Sequence, residues 1–347
     1  MQGDLLVELV RRYTPSQQEG EAVNYLVEWM AAHGFEAHVD EVGNACGVRG
    51  KPDAPNTLIL LGHIDTFPGE IGVRIEGDVL YGRGSVDAKG SLCAFAEAAA
   101  QAAIPDGWRV VVVGAVEEEI ATSKGAHYVA GQFNPAMCII GEPSGVSKIT
   151  LGYKGRLLID YRLTRPVVHT ARPDPSVGAL GASFWSKIEA WAEAKNAGIN
   201  GQFDRVTPHL RSINTQSDNF HDTLTMTVSF RLPTSVSPET TFEAVREFAE
   251  PDGELCPYGM EHAYKSDRSN ALVRGMLAAM RSNGLQPGFV LKTGTSDMNV
   301  VGRHWDCPII AYGPGDSNLD HTPDEHLPLA EYRQAVQVLS TLIANLS

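Results

Sequence analysis

Two hydrophobic patterns share this chain. Short unbroken apolar runs recur at Leu58–Leu61, in "WRVVVVGAV", in "AMCII" and in "CPIIAYGPG". Runs this short, closed at once by Gly and polar residues, predict buried parallel strands. Helical period fills the intervals. Residues 4–12 predict a short amphipathic helix, and Thr14-Pro15 reads as the start of a second one. That second helix is expected to run to His33, with Val23, Leu26, Val27 and Met30 facing the core and Gly34 ending it. "AKGSLCAFAEAAAQAA" predicts a small-residue helix from Ala88–Gly90, able to pack closely on a sheet. "EEEIATSKGAHYVA" continues as a helix, so the bland reading of Glu117–Glu119 is an acidic helix start.

The texture changes at Tyr153. "RLLIDYRL" and "TLTMTVSFRLP" alternate apolar and polar residues, and two amphipathic helices follow them. The order predicted there is strand, helix, strand, helix, strand, an α+β sandwich inserted into a larger domain. The fold class expected is therefore α/β. A mostly parallel sheet flanked by helices is built from residues 1–152 and 265–347, and the insert covers 153–264.

Composition narrows the function classes. The chain has 347 residues, 43% hydrophobic and 20% charged, with a net charge of −14. The acidic balance argues against nucleic acid as a partner. No stretch approaches a membrane span or a signal core. Five scattered cysteines without a C-x-x-C pair predict reduced thiols in a cytoplasmic protein.

The candidate chemistry sits at the strand ends, where ligands bind in open α/β sheets. His63 and Asp65 close the first apolar run, and two residues apart on an extended segment they share a side. Asp87 follows "YGRGS", Glu117–Glu119 end the second run, Glu142 ends the third, and His321 lies past the last. Two His and several carboxylates form a mixed nitrogen and oxygen ligand set, suited to zinc or another divalent transition metal. Five ligands exceed one tetrahedral ion. They fit two ions about 3.5–4 Å apart sharing a carboxylate. Tandem acids then have separate uses, one as ligand and its neighbour as general base on a metal-bound water.

These residues carry a resemblance. "GHIDTFPG", "GRGSVDAKG", "EEE", "IGEPSG" and "YGPGDSNLDHTPDEH" resemble, in order, the metal-site motifs of the co-catalytic metallopeptidase family. That family includes carboxypeptidase G, acetylornithine deacetylase, succinyl-diaminopimelate desuccinylase and aminoacylase. The resemblance implies a zinc-peptidase-like catalytic domain with two Zn2+ ions, Co2+ being the alternative. It implies His63, Asp87 and Glu142 on one ion, and Asp87, Glu119 and His321 on the other. Asp65 would orient His63, and Glu118 would be the base. A register one residue earlier, Glu117 as base and Glu118 as ligand, stays open because this chain has Glu where the family has Asp. The insert resembles the family's dimerisation or lid domain. In "VVHTARPDP", His169 matches a His that reaches an active site, often the partner's, which implies a homodimer.

"LGYKGRLL", "LKTGTSDMNV" and the His321 segment resemble one branch, the hydrolases that release lysine, or ornithine in some organisms, from an amino-group carrier protein, LysW. The carrier holds the amino acid through an amide on its terminal glutamate. Such carriers are acidic, so Lys154, Arg156, Arg172, Arg211 and Lys292 are expected to form a basic mouth. The alternatives are an N-acetylornithine, N-acetyllysine or succinyl-diaminopimelate deacylase and, in a different class, a non-catalytic metal-binding scaffold.

Overall fold

The computed structural model describes residues 4–169 and 171–347. The chain forms two compact units. One takes the described residues up to Gly152 together with Ser266–Leu291 and Ser296–Ser347; the other takes Tyr153–Lys265 with Lys292–Thr295.

The first unit is built on a mixed sheet. Among the described residues, seven of its nine strands run in the order Glu36–Val39, Ala45–Gly50, Trp108–Ala115, Asn56–His63, Met137–Gly141, Ile309–Ala311, Lys148–Tyr153, and Gly288–Lys292 also pairs with the last of these. The central four are parallel. Antiparallel neighbours extend them on both sides. Alternate residues of Leu58–Leu61 face opposite sides of the sheet, yet all four are fully buried. Helices on both faces require that, which is why the run is continuous rather than alternating.

Glycine sets how closely one helix approaches. Gly62 pairs with Gly114 on one side and with Gly141 on the other. Over this row packs Lys89–Gln101. A Cβ on Gly141 would lie 2.8 Å from the ring of Phe95, and one on Gly62 would lie 3.2 Å from Leu92. The Ala-rich helix seats itself where the sheet has no side chains.

The start of the second helix differs from the expectation. Thr14-Pro15 begins no helix, and the helix spans Gly20–Ala32. The Thr14 hydroxyl donates to Ile64 O at 2.8 Å, and Thr66 N–H donates to Thr14 O at 2.8 Å. A long-range pairing takes the groups that a cap would have used. The acidic helix start also fails. Residues 117–123 are turns, and the helix begins only at Lys124.

The second unit is an antiparallel sheet in the order Thr207–Ser217, His221–Leu232, Gly155–Pro166, Glu254–Glu261. Helices Val177–Lys195 and Pro238–Arg246 accompany it. Ile159, Tyr161, Phe184, Met226 and Phe230 are among its core. The expected order lacked one strand. Thr207–Ser217 lies at the sheet's edge and is largely exposed, so its polar sequence carries no burial pattern to read. Among the described residues, no helix is long and apolar enough to cross a membrane.

Candidate metal centre

The matched register brings three strand ends to one level. His63 is the last residue of its strand, the turn at 117–119 follows Trp108–Ala115, and Glu142 follows Met137–Gly141. Asp87 precedes the helix Lys89–Gln101, and His321 comes from the loop after Ile309–Ala311. One ligand atom each from His63, Asp87 and Glu142 lie within 4.8 Å of one another, and so do those of Asp87, Glu119 and His321. Asp87 belongs to both groups. Its Oδ1 is 3.3 Å from His63 Nε2 and its Oδ2 is 3.1 Å from His321 Nε2. Glu119 Oε2 is 2.9 Å from the same His321 nitrogen.

The charge balance fits divalent cations. Asp87, Glu118, Glu119 and Glu142 crowd around two imidazoles. Burial, then Glu118 and Asp87, push Glu142 well above the usual carboxylate range. Burial and Asp87 also raise Glu119. Burial opposes ionisation of Asp87, but hydrogen bonds from His321 and His63 outweigh it and hold the carboxyl low. Bonds to Asp87 and Glu119 lift His321 to about 10. Burial disfavours charge on His63, yet Asp65 and Asp87 raise it well above an ordinary histidine. A divalent cation bound among these groups would displace the protons that their raised pKa values favour.

Asp65 does more than orient one histidine. Its carbonyl oxygen is 3.0 Å from His63 Nδ1, and its Oδ1 is 3.5 Å from the same nitrogen. The carboxylate also accepts the backbone N–H groups of Glu118, at 3.1 Å, and Glu119, at 3.0 Å, and the Ser16 hydroxyl at 2.7 Å. One buried carboxylate therefore contacts both a candidate ligand and the turn carrying the tandem acids.

The three glutamates diverge. Glu117 has a left-handed φ of +61°, its carboxylate accepts the Thr122 hydroxyl at 2.7 Å, and it faces Lys124 at 3.8 Å. Glu119 joins the His321 group. Glu118 joins neither group of ligands. Burial raises its pKa well above normal, and the negative charges of Asp297, Glu119 and Asp65 add to this against His63.

Several supports have no counterpart in the residue-level reading. Glu325 is fully buried and accepts the N–H groups of Val86, at 2.9 Å, and Asp87, at 3.1 Å. Arg83 neutralises it at 2.8 Å. Both stand inside motifs quoted above, "GRGSVDAKG" and "YGPGDSNLDHTPDEH", so the signal was present without an assignment. Glu19 accepts the Glu117 N–H at 3.2 Å, and Phe67 N–H donates to Glu119 Oε1 at 3.0 Å. Neither partner was suggested by spacing.

The sequence pattern that defines peptidase family M20/M25/M40 matches residues 59–345. The chain belongs to this family. Membership makes it a metal-dependent hydrolase, and the family's fold is the α/β catalytic unit with an insert. The chain is 44% identical to the [LysW]-lysine hydrolase of Deinococcus radiodurans, covering 99% of this chain and 96% of that one. It is 38% identical to a putative [LysW]-lysine/[LysW]-ornithine hydrolase of Thermococcus kodakarensis, covering 99% and 91%. Its fold resembles the M20 family metallo-carboxypeptidase Sso-CP2 of Sulfolobus solfataricus, with a TM-score of 0.79 at 18% identity, covering 98% and 97%.

The second unit carries the remaining candidates. His169 is exposed there, and its Nδ1 accepts the Ala171 N–H at 3.1 Å. The expected basic mouth loses Lys154, which is fully buried and donates to Gln202 O, Arg205 O and the Thr207 hydroxyl. Its ammonium is consumed inside the fold. Arg156 donates to Gly259 O, and Arg172 pairs with Asp174.

Proposed function

We propose that this hydrolase releases lysine, with ornithine as the alternative product, from the terminal glutamate of an acidic amino-group carrier protein in amino-acid biosynthesis. The observation that carries the reading is the 44% identity, over nearly the whole of both chains, to a [LysW]-lysine hydrolase. The two ligand groups sharing Asp87, with an uncommitted Glu118 beside them, supply a site able to cleave an amide.

In this reading His63, Asp87 and Glu142 hold one divalent ion, and Asp87, Glu119 and His321 hold the other. Zinc suits the mixed nitrogen and oxygen donors, with cobalt as the alternative. When bound, such ions polarise the amide carbonyl and lower the pKa of water. Glu118 takes a proton from the attacking water as the C–O bond forms and returns it to the lysine nitrogen, which departs as the C–N bond then breaks. Its raised pKa suits a group that must both accept and give up a proton. Asp65 keeps His63 and the tandem acids oriented. His169, brought in by lid closure or from the partner subunit of a homodimer, donates to the carbonyl oxygen as charge develops there. In this reading the enzyme works in the cytoplasm on a soluble carrier.

The test is a comparison of substrates. Purified enzyme is assayed for amino-acid release from carrier-linked lysine, carrier-linked ornithine, N-acetyllysine, N-acetylornithine and N-succinyl-diaminopimelate, each with and without chelator. The reading expects chelator-sensitive release from carrier-linked lysine with the highest kcat/KM. A higher kcat/KM on a small N-acyl amino acid would replace it with the deacylase alternative. Absence of metal-dependent release from every substrate would favour the scaffold.

A further inference from the structure

The side chain of Phe67 has no place in the chemistry described so far. It is a large apolar side chain, 38% exposed, on the loop that leaves His63 and Asp65. That loop is tied down on several sides. Thr66 N–H donates to Thr14 O at 2.8 Å, Gly69 N–H donates to the Tyr13 hydroxyl at 2.8 Å, and Arg83 Nε donates to Gly69 O at 2.9 Å. The Phe67 ring lies parallel to the His321 imidazole, with centroids 4.1 Å apart and planes 12° from each other.

His321 needs such a partner. Its side chain is 44% exposed, whereas that of His63 is 1% exposed. Its backbone is left-handed, with φ +61°, a conformation uncommon for a residue other than Gly. His63 has Asp65 behind it on Nδ1. For His321 the structure gives contacts on Nε2, to Asp87 and Glu119, and the face of Phe67.

We propose that Phe67 is a positioning residue for His321 and sets the affinity of the ion held by Asp87, Glu119 and His321, leaving the His63 group untouched. The stacked ring restricts imidazole rotation before the ion arrives, so less freedom is lost on binding. The assignment rests on the two-ion reading above. It separates two contributions of one residue: the Phe67 N–H holds Glu119 and survives substitution, and the ring holds His321 and does not.

The test is calorimetric zinc titration of metal-free enzyme, unsubstituted and as Phe67→Ala, Phe67→Leu and Phe67→Tyr, with far-UV circular dichroism of each. Unsubstituted enzyme should bind two ions. Phe67→Ala should bind the tighter-held or weaker-held His63-group ion unchanged and lose about threefold to tenfold in affinity at the other, the scale of an aromatic pair. His321→Ala in parallel identifies which step belongs to His321. Phe67→Tyr should restore the affinity, and Phe67→Leu should not. Two unchanged steps in Phe67→Ala overturn the assignment while leaving the two-ion reading intact. Full restoration by Leu overturns it as well, since bulk without a ring would suffice. Equal weakening of both steps, or loss of the folded spectrum in Phe67→Ala and Phe67→Leu alike, assigns the ring to general packing and also overturns it. A single ion in the unsubstituted enzyme removes the two-ion reading and this assignment together.

Discussion

At the scale of single residues, the site is a matter of which carboxylates are committed. Asp87, Glu119 and Glu142 have imidazole or ligand-group neighbours, Glu117 is tied to Thr122, and Glu118 is left over. Glu118→Gln should therefore retain metal and lower kcat by about 10²–10⁴, the usual worth of a general base. Steady-state kinetics with a metal count on the same sample checks this. Near-normal kcat there, with the loss in Glu117→Gln instead, would move the base by one position. The direction of Glu117 could not be read locally: three identical residues in a row differ here through a left-handed φ and partners up to 98 residues away. His63, Asp87, Glu142 and His321 were legible because each follows a recognisable strand or stands in a distinctive motif. The place of Asp65 beside His63 was legible, though its hold on two further N–H groups was not. Protonation supplies another prediction. His321 is raised to about 10, so without metal its imidazole is protonated at neutral pH, and His63 is raised in the same direction by Asp65 and Asp87. An ion must displace such protons, and raising the pH toward 10 removes that of His321 beforehand. Metal affinity should thus increase from pH 6 to pH 9, with net proton release on binding. Zinc titration in two buffers of different ionisation enthalpy measures it; buffer-independent heats would contradict it.

At the scale of elements, the sheet positions the centre through its glycine row. Gly62, Gly114 and Gly141 are consecutive neighbours across three strands, so Lys89–Gln101 can lie close and carry Asp87 to the strand ends. Gly141→Ala places a methyl 2.8 Å from Phe95 and 3.1 Å from Gly62 Cα. Overpacking of this kind costs about 1–3 kcal/mol. Urea unfolding should show a lower midpoint at unchanged slope; an unaltered midpoint would mean that the helix yields freely. The apolar runs and the Ala-rich helix made most of this unit readable in advance. Two features were not. Thr14-Pro15 mimics a helix start, yet its hydroxyl and carbonyl pair with Ile64 and Thr66, and no pattern within a short window contains that partner. The edge strand Thr207–Ser217 is exposed along most of its length, so hydrophobic alternation has no buried face to mark.

At the scale of the whole molecule, charge and assembly decide how the site is used. The chain is acidic overall, and with Lys154 buried the exposed basic candidates are fewer than composition suggests. Specificity for an acidic carrier would then rest on local arrangement. If a homodimer shares its sites through His169, Glu118→Gln and His169→Ala subunits should complement each other. Mixing the two inactive variants, with subunit exchange verified by mass, should restore activity to one site per mixed dimer. Failure to recover would confine His169 to its own chain or to no catalytic role. Beneath all of these lies the claim that two ions share Asp87, with Glu118 free of both. Anomalous diffraction at the zinc edge from a fully loaded crystal tests that most directly. Two peaks about 3.5–4 Å apart should flank Asp87, one against His63 and Glu142, the other against Glu119 and His321. A single peak at saturation, or a peak bound by Glu118 or Glu117, would contradict the account.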